Sequence, residues 1–272
     1  MDITPAAYAH WRESELGSIT ERLEQEAIFS QVSDLRGWNV LDAGCGDGTY
    51  AIEAARRGAI VTGLDLSWSM LIAARQREQQ SLSKAGISWC RGQVEALPFQ
   101  DASFDLVFAI TLVSLVSSPN RVISELARVL RPGGILLLGE LGGFSTWALA
   151  RRIRGWLGSE PWKHAHFWTT GKLHALLRDA GLDLKSVRGA VYYPPSTTWS
   201  RLTYHWDRSL SILGEWGAAF LAVKAIKPLS AKSGLSRGTN NFKRHRLYGW
   251  IQELVSQSRP SSSTCRSALR SQ

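Results

Sequence analysis

A chain of 272 residues with 44% hydrophobic content is long enough to bury the core of one large α/β domain with additions. Its formal net charge of +9 points to nucleic acid until the charge is located: residues 231–272 hold eight Lys or Arg against one Glu, which leaves the body near neutral. The start, Met1-Asp2-Ile3-Thr4-Pro5, has no basic stretch ahead of an apolar run, and later apolar runs are broken before they could span a bilayer, so a cytoplasmic chain without a membrane span is expected. Cys45, Cys90 and Cys265 form no paired metal spacing.

Residues 1–37 open with Tyr8-Ala9-His10-Trp11-Arg12 and continue, past Gly17, with Ile19, Leu23, Ala27 and Ile28 at helical spacing, the pattern of an amphipathic lid. From Trp38 to Leu141 short β-rich runs alternate with helical ones, the signature of right-handed βαβ units and a parallel sheet. A strand over 38–43 runs into Gly44-Cys45-Gly46-Asp47-Gly48, and a helix over about 49–57 follows. A strand over 60–66 leads into a helix capped by Ser67 or Ser69. Strands over 87–91 and 104–110 come next, then a helix after Ser118-Pro119 with Val122, Leu126, Val129 and Leu130 in one stripe. Arg131-Pro132-Gly133-Gly134 reads as a turn into a strand over 135–141, unbroken in apolar character and so covered on both faces. Beyond it, Thr170 caps a helix that ends at Gly181, and strands follow over 184–193 and 216–226. Residues 142–169 and 194–214 are insertions that, with Trp216 beside them, hold seven of the twelve tryptophans; residues 231–272 read as a basic, largely disordered tail.

Alternate glycines at 44, 46 and 48, after Asp42 and at the start of a helix, permit positive φ and let a ligand lie on bare backbone at the helix N-terminus. Without a ligand the same turn is a tight β–α connection. Asp65 closes the second strand about 20 residues on, where a carboxylate accepts from both hydroxyls of a ribose; its plainer role is to cap the next helix. The spacing G-x-G-x-G lacks the form that seats a pyrophosphate, which disfavours a nicotinamide oxidoreductase. Two further signatures follow, Gly92-Gln93-Val94-Glu95-Ala96-Leu97-Pro98-Phe99 before the fourth strand and Arg128-Val129-Leu130-Arg131-Pro132-Gly133-Gly134 before the fifth.

With these four ordered motifs the chain resembles the class I S-adenosylmethionine (SAM) dependent methyltransferases of the methyltransferase type 11 group, which includes ubiquinone/menaquinone C-methyltransferase-like enzymes. The resemblance is close over Val40 to Leu141 and looser to Pro228. It implies an α/β, Rossmann-like sheet of seven strands ordered 3-2-1-4-5-7-6, with helices on both faces and lid insertions, in a domain spanning 38–230. It implies SAM as cofactor. Asp42, Gly44, Cys45 and Gly46 would face the methionine moiety and Asp65 the ribose. Leu66 and Met70 would flank the adenine, with Gln93, where such sequences commonly carry Asp, and Val94 contacting it and Glu95 alongside. Ile110 and Thr111 would lie near the sulfonium. Tyr8 would close over the cofactor, and Arg12 would pair with its carboxylate.

The sulfonium already activates the methyl group, so in-line transfer needs alignment above all, and no catalytic residue is named. Glu140, His10, His164, His166, Tyr192 and Tyr193 are candidates for acceptor contact. Leu149, Ile153, Trp156 and Leu157 form a stripe beside Arg151, Arg152 and Arg154, suited to an apolar acceptor or a membrane surface, or to packing as a lid. A small or lipid-like acceptor is expected in preference to nucleic acid, and no metal. A non-catalytic scaffold that merely binds the cofactor is the alternative from another class.

Overall fold

The computed structural model describes residues 5–81 and 86–229. The expected basic tail over 231–272 lies outside the described residues. Seven strands form one sheet in the order β3-β2-β1-β4-β5-β7-β6, as the resemblance implies. They are β1 (Asn39–Ala43), β2 (Ile60–Asp65), β3 (Ser88–Arg91), β4 (Phe104–Ile110), β5 (Leu130–Leu141), β6 (Asp183–Ala190) and β7 (Phe220–Ile226). The first five pair in parallel, and β7 runs antiparallel between β5 and β6. The central strands are buried at consecutive positions, Leu136, Leu137 and Leu138 completely, because helices cover both faces.

The connecting helices are α3 (Thr49–Arg56), α4 (Trp68–Gln80), α5 (Pro119–Val129) and α8 (Thr170–Asp179). Ser67 caps α4 by accepting from the Met70 N–H at 3.4 Å. Pro119 sits at the start of α5, where its missing N–H costs nothing, and Val122, Ile123, Leu126, Ala127 and Val129 give that helix its buried stripe. Leu130, expected on the same stripe, instead begins β5. The cap of α8 is Thr169, which accepts from the Lys172 N–H, and not Thr170.

The turn expected at Arg131 to Gly134 sits inside β5 and not before it. Pairing with β4 jumps from Phe104↔Leu130 to Leu106↔Ile135, so these four residues bulge out of the ladder, with Gly133 at φ +80°. Lys227 closes the bulge: its N–H donates to the Gly134 carbonyl at 2.9 Å and its carbonyl accepts from Gly133 at 2.8 Å. The strand β6 stops at Ala190, short of the expected Tyr193, because Val191 takes φ +62° and the Asp207 carboxylate accepts from the Val191 and Tyr192 N–H groups. The strand β7 begins at Phe220, later than the expected Trp216, since Gly217 at φ +86° turns the chain just before it.

Two helices, α1 (Pro5–Glu13) and α2 (Glu15–Phe29), precede the sheet, with Ser14 capping α2. The insertion after β5 carries α6 (Thr146–Trp156) and α7 (Glu160–Lys163). Its ends are tied together, Trp168 N–H to the Leu141 carbonyl at 2.8 Å and Gly143 N–H to the Trp168 carbonyl at 2.7 Å. The insertion after β6 carries α9 (Thr197–Thr203) and α10 (Asp207–Leu210). Strand direction places both insertions. The strand β5 runs parallel to β4 and β6 runs the same way, so each insertion leaves the sheet at its carboxyl edge, where β1 and β2 deliver the glycine turn and Asp65.

Candidate functional site

The glycine turn is held against β2 by the Leu64 carbonyl, which accepts from the Gly44 and Cys45 N–H groups at 2.7 and 3.0 Å. Gly46 adopts φ +53°, and a Cβ built there meets nothing within 4 Å. Conformation therefore demands the glycine, and open space lies beside it. Gly48 adopts φ +82° and is tight instead: a Cβ would stand 2.7 Å from the Trp89 ring. Gly48 caps α3 with no side chain.

Asp65 bridges the turn and the next helix. Its Oδ2 accepts from the Gly46 N–H at 2.9 Å and its Oδ1 from the Ser67 N–H at 2.8 Å. Capping of α4 falls to Ser67, so the plainer role for Asp65 is already taken, and each carboxylate oxygen keeps a further lone pair. Asp42 is buried, and its Oδ2 has no hydrogen-bond partner. Burial pushes its carboxyl up to about 7; the Ala51 N–H pulls the other way, and Asp65 and Asp47 add to the rise. An orphaned buried carboxylate oxygen is costly unless a ligand donor meets it. Cys45 is buried and its thiol pushed well up by burial, so it is backbone-forming and no nucleophile.

Over this turn lies the N-terminal lid. Arg12 from α1 pairs with the Asp47 carboxylate and reaches the Thr49 hydroxyl at 3.2 Å. Arg77 from α4 contacts Asp47 at 3.3 Å and also the Thr49 hydroxyl, while Thr49 lies 3.1 Å from Glu21 of α2. The resemblance sent Arg12 to a ligand carboxylate; in the structure its partner is Asp47, a residue of the glycine turn itself. Tyr8 stacks on Trp11 with ring centroids 5.9 Å apart, under the Arg12 guanidinium at 5.4 Å. Burial, then Glu24, Glu21 and Asp47, raise its phenol, so it stays neutral.

Sequence reasoning missed Asp47 and Arg77, although an acid between two glycines was a signal. It also missed Glu24, on the buried side of α2. Burial pushes that carboxyl up to about 8, opposed by Arg151 of α6 and aided by Glu21. Arg151 stacks on Trp147 at 5.1 Å and on Trp162 at 4.9 Å, and burial brings it down to about 10. The Tyr50 hydroxyl, also influenced by Glu24 and Tyr8, is buried with no hydrogen-bond partner. Polar groups thus gather beneath the lid where the sequence pattern shows only helical spacing.

The remaining expected residues sit at the carboxyl ends of neighbouring strands. Leu66 is exposed and Met70 half-buried beyond β2; Gln93 is exposed, Val94 buried and Glu95 half-buried beyond β3; Ile110 is half-buried at the end of β4. Thr111 takes φ +52° and donates its N–H to the Gly139 carbonyl at 2.5 Å. The Leu97-Pro98-Phe99 signature proves to be a clamp. Arg128 donates to the carbonyls of Leu97 and Phe99 and pairs with Asp101 and Glu125, and Glu125 accepts from the Leu97 N–H at 2.8 Å.

Several acceptor-side candidates are engaged elsewhere. Glu140 is fully buried and accepts from the Val113 N–H at 3.0 Å, the Ser114 N–H at 2.8 Å and the Ser114 hydroxyl at 2.6 Å. It anchors the loop after β4, and burial pushes it up to about 8. The Tyr193 hydroxyl lies 2.9 Å from Thr20 and that of Tyr192 donates to the Gly214 carbonyl. His10, His164 and His166 are exposed. Among the described residues no group of His, Cys, Asp and Glu could hold a metal. The orphaned Asp42 oxygen, the open face of Gly46 and the spare lone pairs of Asp65 do fit a ligand carrying an ammonium group and a ribose.

Comparison with known proteins agrees with this geometry. Residues 41–138 match the methyltransferase domain family. A ubiquinone biosynthesis O-methyltransferase of Coxiella burnetii is 31% identical over 172 residues, covering 61% of this chain and 72% of that protein. A malonyl-[acyl-carrier protein] O-methyltransferase of Erwinia billingiae is 39% identical over 130 residues, covering 48% of this chain and 49% of that protein. Among solved structures, a SAM-dependent methyltransferase of Thermotoga maritima, described as a possible histamine N-methyltransferase, superposes with a TM-score of 0.61 at 23% identity, covering 82% of this chain and 95% of that one. Glycine turn, acidic strand ends, strand order and these relatives converge, and a nicotinamide oxidoreductase does not account for them: the chain belongs to the methyltransferase domain family and is a SAM-dependent methyltransferase.

Proposed function

We propose that this methyltransferase acts on an oxygen of a small, lipophilic acceptor held beneath its two insertions. One observation carries the reading. Both insertions stand at the carboxyl edge of the sheet, beside the donor end, and they present large apolar side chains, including Phe144 stacked on Trp216 at 4.5 Å. The relatives named O-methyltransferases support oxygen as the atom methylated.

On the donor side Asp42, Gly44, Cys45 and Gly46 hold the methionine portion, with the unpaired Asp42 oxygen taking its amino group. Asp65 holds the ribose through its spare lone pairs. Leu66, Met70 and Val94 give the adenine an apolar bed, with Gln93 and Glu95 at its polar edge, and Ile110 borders the sulfur. Tyr8 and the α1 lid shut out water, held down by Arg12 and Asp47. Bound SAM supplies a methyl group already activated on its sulfonium, so these residues act by alignment and exclusion of water. The test is incubation of the full chain with methyl-labelled SAM and, separately, a prenylated phenol, a malonyl thioester and total RNA. Label in the phenol is expected; label confined to the thioester or to RNA overturns the lipophilic reading.

A further inference from the structure

The stripe Leu149, Ile153, Trp156 and Leu157 does not pack as a lid. Trp156 is 85% exposed and Leu157 82%, and Leu149 and Ile153 are exposed as well. The helix α6 anchors itself by the opposite side: Trp147 and Ala148 are buried, and the Trp147 ring N–H donates to the Tyr193 carbonyl at 2.9 Å. At 3.6 residues per turn the four apolar side chains occupy a band of roughly 100°, flanked by Arg152 on one side and Arg154 on the other. Both arginines are exposed. No acidic residue lies within α6.

The second insertion repeats the arrangement. Trp199, Leu202 and Trp206 are exposed at i, i+3 and i+7, and Ile212 is 90% exposed. Isolated exposed apolar residues need no explanation, but two apolar insertions at one edge of a sheet do.

We propose that α6 docks on the surface of an anionic lipid bilayer, its apolar band entering the interface and Arg152 and Arg154 resting among the headgroups. An apolar band of this width bordered by cations, with tryptophan at its end, is the form of an interfacial helix. Charge selects this occupant. A second copy would set α6 against an equally cationic helix, whereas acidic headgroups attract both arginines. Among the described residues no helix is long and apolar enough to cross a membrane, so the contact is peripheral. Docking would turn the carboxyl edge, where a lipophilic acceptor is proposed to enter, toward the phase in which such molecules dissolve. The docking itself does not depend on that acceptor.

The test is cosedimentation of the full chain with phosphatidylcholine vesicles, with and without phosphatidylglycerol. Binding is expected only with phosphatidylglycerol. It should weaken at least about tenfold in the double variant Trp156→Ser/Leu157→Ser, and to a similar degree in Arg152→Glu/Arg154→Glu. Both variants should keep the parent's thermal shift with S-adenosylhomocysteine, which shows that the fold and donor site are intact. The proposal is overturned if the parent ignores phosphatidylglycerol vesicles, or if either double variant binds them as the parent does. It is overturned equally if the parent sediments at equilibrium as a dimer that Trp156→Ser/Leu157→Ser dissociates, since the face would then belong to a second copy. No readout involves methyl transfer, so failure here leaves the acceptor reading standing, and failure of that reading leaves this result intact.

Discussion

Asp65 accepts from the Gly46 and Ser67 N–H groups and keeps further lone pairs for the ribose proposed above. If it accepts from the ribose, Asp65→Ala should weaken S-adenosylhomocysteine binding by about 2–4 kcal/mol in calorimetry; unchanged affinity would remove it from the donor site. Asp42 is held near neutrality while its outer oxygen lacks a donor. Contact with a cationic amino group favours its ionised form. Ligand binding at about pH 6 should therefore release a proton, seen as a dependence of binding heat on the ionisation enthalpy of the buffer, and Asp42→Asn should abolish the release. Glu140 makes a claim on stability. Its folded value of about 8 exceeds the ordinary carboxylate value of 4.5, so the folded state keeps a proton that the unfolded state has lost. That contribution is complete below about pH 4.5 and disappears as the pH climbs to about 8. Urea stability should decline across this window and decline less steeply in Glu140→Gln; equal slopes would show that another group governs it. The acids at the ends of β1 and β2 were legible in the sequence because each stands at a fixed place after a strand. The burial of Glu140 was not, since nothing local reveals that a loop 26 residues upstream folds over it.

The lid shows how far pattern reading extends at the scale of an element. Amphipathic spacing foretold α2, and the resemblance marked Tyr8 and Arg12 as residues facing the cofactor, but neither showed that Arg12 would meet Asp47, because that pairing spans 35 residues. Asp47 is the shared counter-charge of Arg12 and Arg77. Removing it leaves the two guanidiniums with Glu21 in place of a shared pair of acids to offset them. Asp47→Ala should cost about 2 kcal/mol in urea denaturation, a figure reduced by the partial exposure of Arg77, and should speed tryptic cleavage after Arg12 as α1 detaches. A variant as stable and as resistant as the parent would show the latch to be incidental. Strand ends were misjudged for a different reason. Val191 and Tyr192 look like the continuation of β6, yet they are drawn out of the ladder by Asp207, a residue of the following insertion. Tertiary hydrogen bonds decided what propensity left open.

Across the whole molecule, the strand order was legible only through the family resemblance that the four ordered motifs carry, while the apolar runs themselves say which strands lie inside. The insertions resisted the same treatment: their tryptophans resemble core residues, and only the structure separates the buried Trp147 and Trp168 from the exposed Trp156, Trp199 and Trp206. In hydrogen exchange, amides of β1 and β4 should open only with global unfolding, while those of β6, bonded on one side alone, should exchange by local fraying; uniform protection would contradict this. The antiparallel strand β7 carries a further consequence, in the order of assembly. Because β7 lies between β5 and β6, strand β6 has no partner while it emerges from the ribosome, and must wait for more than thirty later residues. Lys227, at the far end of β7, then reaches back to carbonyls of Ala127, Arg128 and Leu130. The last strand among the described residues is the one that seals the sheet, and a growing chain stopped before it leaves an open edge at β5.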